Sequence, residues 1–481
     1  MKLNERILII PKAIYLIVNL QFYGFHKLRS AFAKDKFNIS TEEYGKFTGY
    51  TQFITFFTGI IIGNITDKTR KYQTSLISLI TLSTFVFILF YLDALTSIHP
   101  IIFWGILMIY LILNNPKQPL LDKIMIEYLD KKSDQGSKIY GKQRLWGTFA
   151  LPMATYISEW CTKTSDGNAN YTNLIYYNVI ATILALATAA LFFFPREINR
   201  NTINNAENKQ ENQESQNSSP ARTRKSGTFI ELLGNFEFMF FFLIIFLNAI
   251  SRSALTIYLE LFHSEILQIS PKEVPESWGS IPKTLLSSLF NNPVSTLATA
   301  GVVFEIIILF LADKILNSIG HFLPLLLAQF IALSRFLAYY LISPSNPYVF
   351  EISCAIELLR GMYFGLIHIS SVYIAMKMAP PHLRTTSQMI YQGTFSALGF
   401  LISGQLFGGM FKSKLEHELE LENKASIYRE IFLINIIISL LTVGICTIKY
   451  GFIDKVLFNK ELENKKLSKY DEMVEIEQAS K

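Results

Sequence analysis

Cysteine is scarce. Cys161, Cys354 and Cys446 are the three in 481 residues, far apart and without a C-x-x-C pair. Neither a disulfide framework nor a thiolate metal site can be built from them. The seven histidines are equally dispersed, so no metal and no cofactor is expected. Charge is sparse too, at 17% of residues, while 50% are hydrophobic and the mean hydropathy is +0.30. A soluble domain of this length carries more charge and shorter apolar stretches. No G-x-x-x-x-G-K-[ST] loop occurs, which argues against ATP as a driving force within this chain. The net charge is +6, but the basic residues gather in alternate loops. That sign reports membrane orientation, not nucleic-acid binding.

What the chain does have is long apolar runs. Windows of ~19 residues mark about twelve spans. They centre near 10–30, 46–64, 75–92, 100–118, 144–160, 173–194, 236–258, 295–313, 322–342, 347–370, 386–410 and 430–450. Backbone hydrogen bonding in lipid makes such spans helices. The expected fold is an all-α membrane protein with its helices in two pseudo-symmetric six-helix bundles. The first span shows no small-residue cleavage site and reads as a retained helix, not a signal peptide.

The loops between spans are uneven in charge. Those near 67–71, 131–144 and 196–225, with the tail after Lys449, hold most of the loop Lys and Arg. The positive-inside rule then places both termini in the cytosol. Two sequons, Asn38-Ile39-Ser40 and Asn170-Tyr171-Thr172, fall on the outer side and are candidate glycosylation acceptors. The stretch 196–228 is rich in Asn, Gln, Glu and Ser and cannot build a core. It is expected to be a disordered cytosolic linker between a bundle at 1–195 and a second at 229–454, with a cytosolic tail at 455–481. Ile65-Thr66-Asp67-Lys68 after the second span is echoed by Leu311-Ala312-Asp313-Lys314 after the eighth. Matched placement in the two halves suggests an internal repeat.

Charges inside the spans are the most informative residues. Glu305 interrupts Val302 to Leu311, an otherwise apolar run. A carboxylate at mid-bilayer costs at least ~2.5–3.5 kcal/mol, so Glu305 must face protein or a watery cavity. Asp122, Arg144, Arg252, Arg335, Glu357 and Arg360 lie in comparable settings. Asp122 and Arg144 end and begin consecutive antiparallel spans and can meet, either around a solute or as a structural pair. Glu357 and Arg360, three residues apart, share a helix face. Glu305 has its own alternative, a salt bridge to Arg252. Gln52, Asn248, Gln329, Tyr391, Gln392 and Gln405 supply polar uncharged groups, each of which can equally be a helix–helix hydrogen bond. His26, Lys27 and Arg29, near the outer end of the first span, read as snorkelling side chains. His368 is a lone histidine on an apolar face.

Gly63-Asn64-Ile65-Thr66-Asp67-Lys68-Thr69-Arg70-Lys71 resembles the loop signature of the major facilitator superfamily, with Arg70 in place of its second glycine. Pro119-Leu120-Leu121-Asp122, Tyr140 to Gly147, and Ala379 to Arg384 leading to Gln392-Gly393 resemble the branch that holds lactose permease, the nucleoside:proton symporters and the MFS_1-like proteins. The resemblance implies alternating-access transport with no enzymatic activity. It makes Asp122, Arg144 and Glu305 solute ligands and Arg335 part of proton coupling; Asn248 and Gln392, as cavity-wall amides, are further candidate ligands, and Glu305, Glu357 and Arg360 complete the candidate proton-coupling set. Gly63, Asp67, Lys68 and Arg70 become a gating loop. In lactose permease a histidine and a glutamate stand three apart on the tenth span; here those positions are Arg360 and Tyr363. A phenol with a pKa of ~10 is a poor proton carrier near neutrality. The coupling carboxylate is therefore absent from its usual place, and Glu305 or Glu357 must stand in for it.

The expected function is secondary active transport of a small polar solute, a sugar or nucleoside, with the proton gradient as the expected driving force. A facilitator of the same solutes, or a non-transporting receptor or scaffold on the same fold, are the alternatives. The expected partners are the solute and the lipid bilayer, the expected state a monomer, and the default location the plasma membrane.

Overall fold

The computed structural model describes residues 5–69, 71–92, 100–130, 136–163, 169–193, 232, 234–272, 283–379, 384–414 and 421–467. The linker at 196–228, and Arg70 of the gating loop, lie outside the described residues. The backbone of Gly63, Asp67 and Lys68 is described as part of α3, but the side chains of Asp67 and Lys68 are not.

The first half comprises α1 (Glu5–Tyr23), α2 (Arg29–Phe37), α3 (Thr41–Thr69), α4 (Tyr72–Leu89), α5 (Pro100–Asn114), α6 (Lys117–Asp130), α7 (Gly136–Thr162) and α8 (Asn173–Phe193). The second comprises α9 (Phe236–Leu261), α10 (Lys283–Asn291), α11 (Pro293–Phe310), α12 (Ala312–Ile319) and α13 (Phe322–Leu341). It continues with α14 (Val349–Lys377), α15 (Arg384–Gly393), α16 (Gly399–Lys414) and α17 (Leu421–Cys446). Short π-helical turns at Phe262–Ile266, Thr394–Leu398 and Thr447–Ile453 extend α9, join α15 to α16, and extend α17.

Eight of these helical stretches are long and apolar enough to cross a membrane. All six spans of the second half are among them, with α4 and α8 of the first. The remaining four spans are α1, α3, the α5–α6 pair and α7, which completes a twelve-helix, two-bundle membrane fold. Their weaker signal has local causes. α3 is rich in Thr, Gln and Gly, and α7 begins with Lys and Arg residues. The α5–α6 span is broken at Asn115-Pro116, since Pro116 lacks an N–H and crowds the preceding turn.

Three boundaries differ from the sequence reading. The first span ends at Tyr23, and the chain turns before α2. The fourth span does not end near Asp122; α6 carries it on to Asp130. The repeated Asp-Lys tetrads also diverge. Residues 65–68 continue α3, whereas Leu311 breaks the helix and Ala312 starts α12.

The packing is lopsided about the membrane plane. One apolar cluster is shared by both halves: Phe25, Phe32 and Phe103 of the first pack with Tyr258, Phe262 and Phe407 of the second. It lies on the side away from the chain termini, called here the far side. Towards the terminal side each half has its own cluster. One is centred on Ile14, Leu76 and Leu121, the other on Phe241, Leu325 and Ile374.

Polar ties follow the same pattern. Lys27 pairs with Glu260 at 2.6 Å, and Lys34 with Glu265 at 2.5 Å. Lys163 donates to Asn292 at 3.1 Å, and Tyr156 meets Thr296 at 2.9 Å. Lys27 is thus an inter-half partner and not a snorkelling anchor, because Glu260, on α9, lies within reach. Arg29 is buried, over the ring of Phe25. Gly45 and Gly49 of α3 face Gly404 and Gly408 of α16; a Cβ on Gly49 would sit 2.7 Å from the Phe400 carbonyl oxygen. Small residues four apart on both helices permit this backbone contact between halves. The molecule is closed on the far side, and its halves have separate cores on the terminal side.

Candidate functional site

Two charged residues from opposite halves face each other across the centre. On α11, Val303, Ile307 and Phe310 are the exposed, lipid-facing row. Glu305 is two residues from both Val303 and Ile307, which puts it on the opposite side of the helix. On α7 the exposed row is Trp146, Phe149, Met153 and Trp160, and Arg144, two residues before Trp146, again points the other way. Its side chain is 49% exposed, so it opens onto a gap and not onto packed protein. Glu305 lies in the field of Arg360, Arg144 and Arg252. Among the described residues it makes no direct ion pair, and the expected alternative bridge to Arg252 does not form.

Close helix packing sets this arrangement. A Cβ on Gly361 would meet the Glu305 amide nitrogen at 2.9 Å and the Gly301 carbonyl oxygen at 3.2 Å. Only glycine lets the backbones of α14 and α11 touch there, and Arg360 is thereby laid over Gly301 beside the Glu305 turn.

The neighbouring carboxylate behaves differently. Glu357 on α14 is buried, and its Oε1 accepts from Arg335 Nη2 at 2.6 Å and from the Tyr339 hydroxyl at 2.7 Å. Its Oε2 receives Arg360 Nη1 at 3.5 Å. His263 extends the chain to Tyr339 at 3.3 Å. With both oxygens occupied, Glu357 is the centre of an ion cluster joining α13 and α14.

In the first half, Asp122 and Arg144 meet as the sequence suggested, with Asp122 Oδ2 3.7 Å from Arg144 Nε. The Tyr15 hydroxyl donates to Asp122 Oδ1 at 2.7 Å. Tyr23, near the end of α1, feels the charges of Glu305, Arg144, Asp122 and Arg360 together. It is thus near charged groups of both halves, and it is not among the residues the sequence singles out.

Other expected ligands are placed otherwise. Asn248 is buried within the second half. It donates to the Ile244 carbonyl at 2.7 Å and accepts from Tyr363 at 3.4 Å, so its amide ties α9 to α14. Gln392 is exposed and donates to Ser396 at 3.1 Å. Arg252 donates to the Phe395 carbonyl at 2.9 Å and stacks over the Phe395 ring at 4.6 Å. The π turn at Thr394–Leu398 holds that residue, and such turns recur at functional positions. His368 stacks on Phe364 at 5.7 Å.

A family model for the MFS_1-like family matches residues 34–418. The chain belongs to the MFS_1-like family. The fold likeness extends over nearly the whole molecule. A point mutant of the nucleoside transporter NupG superposes with a TM-score of 0.68 at 13% identity, covering 91% of this chain and 98% of that one. A bacterial homologue of the human lysosomal transporter Spinster, inward-facing and unoccupied, gives 0.60 at 14% identity over 92% and 96%. A D-xylose–proton symporter gives 0.56 at 12% identity over 91% and 96%. No curated protein sequence matches the chain. The family and these neighbours are transporters and not enzymes.

Proposed function

We propose that this protein moves a small uncharged polyhydroxylated solute, a nucleoside or a sugar, across its membrane by alternating access coupled to protons. One observation carries the reading: Glu305, a carboxylate with no ion-pair partner among the described residues, faces the gap within the field of Arg144 on the other half. A solute that bridges them gains charge-assisted hydrogen bonds from both halves. A proton taken up by Glu305 would weaken its attraction to Arg144 and Arg360 and so favour a change in the spacing of the halves. Among the structural neighbours are a nucleoside transporter and a xylose–proton symporter, which supports the same solute classes.

The site is mixed in charge, with acids and arginines interleaved, so it suits hydroxyls better than a strongly charged group. Asp122, Tyr15 and Tyr23 form the first-half wall, and Arg360 and Glu305 the second. The Glu357 cluster holds α13 against α14 and positions Arg360. The positive-inside charge pattern supports cytosolic termini. The gap then opens to the cytosol in this state, and the plasma membrane is the default location.

A thermal-shift screen of the purified protein with nucleosides and sugars at two pH values tests the reading. Binding to the folded protein raises the unfolding midpoint in proportion to ligand excess. Stabilisation by a nucleoside or sugar with a pH-dependent midpoint supports it. A broad panel without any stabilisation contradicts it.

A further inference from the structure

The fourth span is broken inside the first bundle, and the break holds a lysine that no part of the site uses. Lys117, the first residue of α6, has 0% of its surface exposed. Its Nζ lies 2.7 Å from Gln21 Oε1, 2.6 Å from Ser83 Oγ and 2.7 Å from Asn114 Oδ1. Those three contacts match the three N–H bonds of an ammonium. All three partners are neutral, and among the described residues no acidic side chain pairs with it.

Each neighbouring helix presents neutral groups. α1 supplies Gln21, and α4 supplies Ser83 and Thr84. α5 supplies Asn114, with Tyr110 a turn earlier, and α8 supplies Asn178 and Thr182 beside Thr84. The titratable phenol of Tyr177 on α8 is bonded to the Leu20 carbonyl at 2.7 Å. Asp122, the nearest acid along α6, is taken by Tyr15 and Arg144.

The chemistry of the three acceptors decides what such a group can do. The two carboxamide oxygens only accept. The Ser83 hydroxyl can reverse: it now donates to the Ile80 carbonyl at 2.9 Å while accepting from Lys117. After loss of a proton, Lys117 would keep its two bonds to Gln21 and Asn114. Its new lone pair would accept from Ser83 once that hydroxyl turned away from Ile80. One hydroxyl rotation therefore satisfies both protonation states, whereas a purely structural cation needs no reversible partner. Intramembrane ionisable residues are typically functional, and interrupted spans are where transporters place binding sites.

We propose that Lys117 is a second proton-binding site, in the first bundle, distinct from Glu305. The step is Lys–NH3+ giving one proton to a water admitted at the Asn115–Pro116 break, leaving Lys–NH2 and hydronium, with return of a proton from water in the opposite conformation. The assignment deepens the proton-coupled reading above and rests on it only for the purpose of the site.

The test compares the wild type with K117R, cationic at every working pH, and K117M, never charged. Unfolding midpoints of the solute-free protein in nanodiscs are followed from about pH 5.5 to 9.5. A proton bound unequally by folded and unfolded chains changes the folding equilibrium by up to about tenfold per pH unit. The wild-type profile should contain such a component, and the K117R and K117M profiles should lack it and run parallel. Parallel profiles for all three would overturn the site. If K117M does not fold, K117R alone makes the comparison. S83A, which removes the reversible hydroxyl, should displace the component along the pH axis; an unmoved component would also count against the site. A linked component with pH-independent solute uptake would leave the site standing and remove proton-coupled transport. Proton-driven uptake with parallel profiles would do the reverse.

Discussion

Glu159 on α7 reaches across the interface to the start of α11, where its Oε2 accepts from the Ser295 backbone N–H at 2.7 Å and from the Ser295 hydroxyl. The two helices it ties are those that carry Arg144 and Glu305. The far-side seal and the central charges are therefore mounted on the same pair of rods. Closing one end sets the separation at the other.

The first prediction follows from that tie. Hydrogen bonds to a charged partner are worth roughly 1.5–3 kcal/mol net. Glu159→Ala should shift the balance of far-side-closed to far-side-open protein by roughly ten- to a hundredfold. Accessibility of a cysteine placed in the gap to an impermeant maleimide added from the far side reads this directly. Unchanged accessibility would mean that the tie does not hold the seal.

The glycine contact between α3 and α16 gives a steric counterpart. A side chain on Gly404 would run into the Gly45 carbonyl. Gly404→Leu should leave the protein folded but unable to close the far side, and solute uptake should be lost. Gly404→Ala should retain part of it. Equal uptake by the leucine variant and wild type would show that these helices do not need to touch during transport.

Glu305 and Glu357 are both acids in the second bundle, yet they should respond in opposite ways. Removing one partner of a buried ion pair costs roughly 3–5 kcal/mol. Glu357→Gln should therefore lower the unfolding midpoint clearly, by loosening Arg335, Tyr339 and Arg360. Glu305→Gln removes no ion pair among the described residues and should leave the midpoint near wild type. Thermal unfolding of the two variants side by side distinguishes the structural acid from the working one.

In the first half, Asp122→Asn leaves Tyr15 a neutral acceptor but takes the charge from Arg144. Solute affinity should fall about tenfold or more, with a small change in stability, if Asp122 contacts solute through a charge-assisted bond of roughly 1.5–3 kcal/mol. A binding isotherm for the best ligand of the thermal-shift screen measures it. An unchanged dissociation constant would reduce the Asp122–Arg144 pair to a helix–helix contact.

Much of this organisation is legible in the chain. Hydropathy alone locates all six second-half spans, because their sequences are apolar almost throughout. It is weaker over α1, which is short, over α3 and α7, which are richer in polar residues, and over α5–α6, which is broken at Asn115-Pro116. Glu305 stands out because one carboxylate interrupts a ten-residue apolar run, and Asp122 and Arg144 are paired by the short distance between consecutive spans.

Long-range partners are harder to see. Nothing near Lys27 announces Glu260, 233 residues away, so a lysine at a helix end reads as an interface anchor. Lys117 is blurred for a different reason. A window average treats it as the polar edge of the fourth span, although Asn114-Asn115-Pro116-Lys117-Gln118 lies between the apolar residues of α5 and those of α6. That pattern is the sign of a broken span. Glu357 and Arg335 look as mobile as Glu305 until their hydrogen bonds are known.

The central claim is that Glu305 couples solute to protons across the gap. Proteoliposomes with wild type or Glu305→Gln, given a labelled nucleoside or sugar, test it most directly. Wild type should concentrate the solute against its gradient when the pH gradient is imposed. The variant should still exchange solute down its gradient but should not concentrate it. Concentrative uptake by Glu305→Gln equal to wild type would contradict the account.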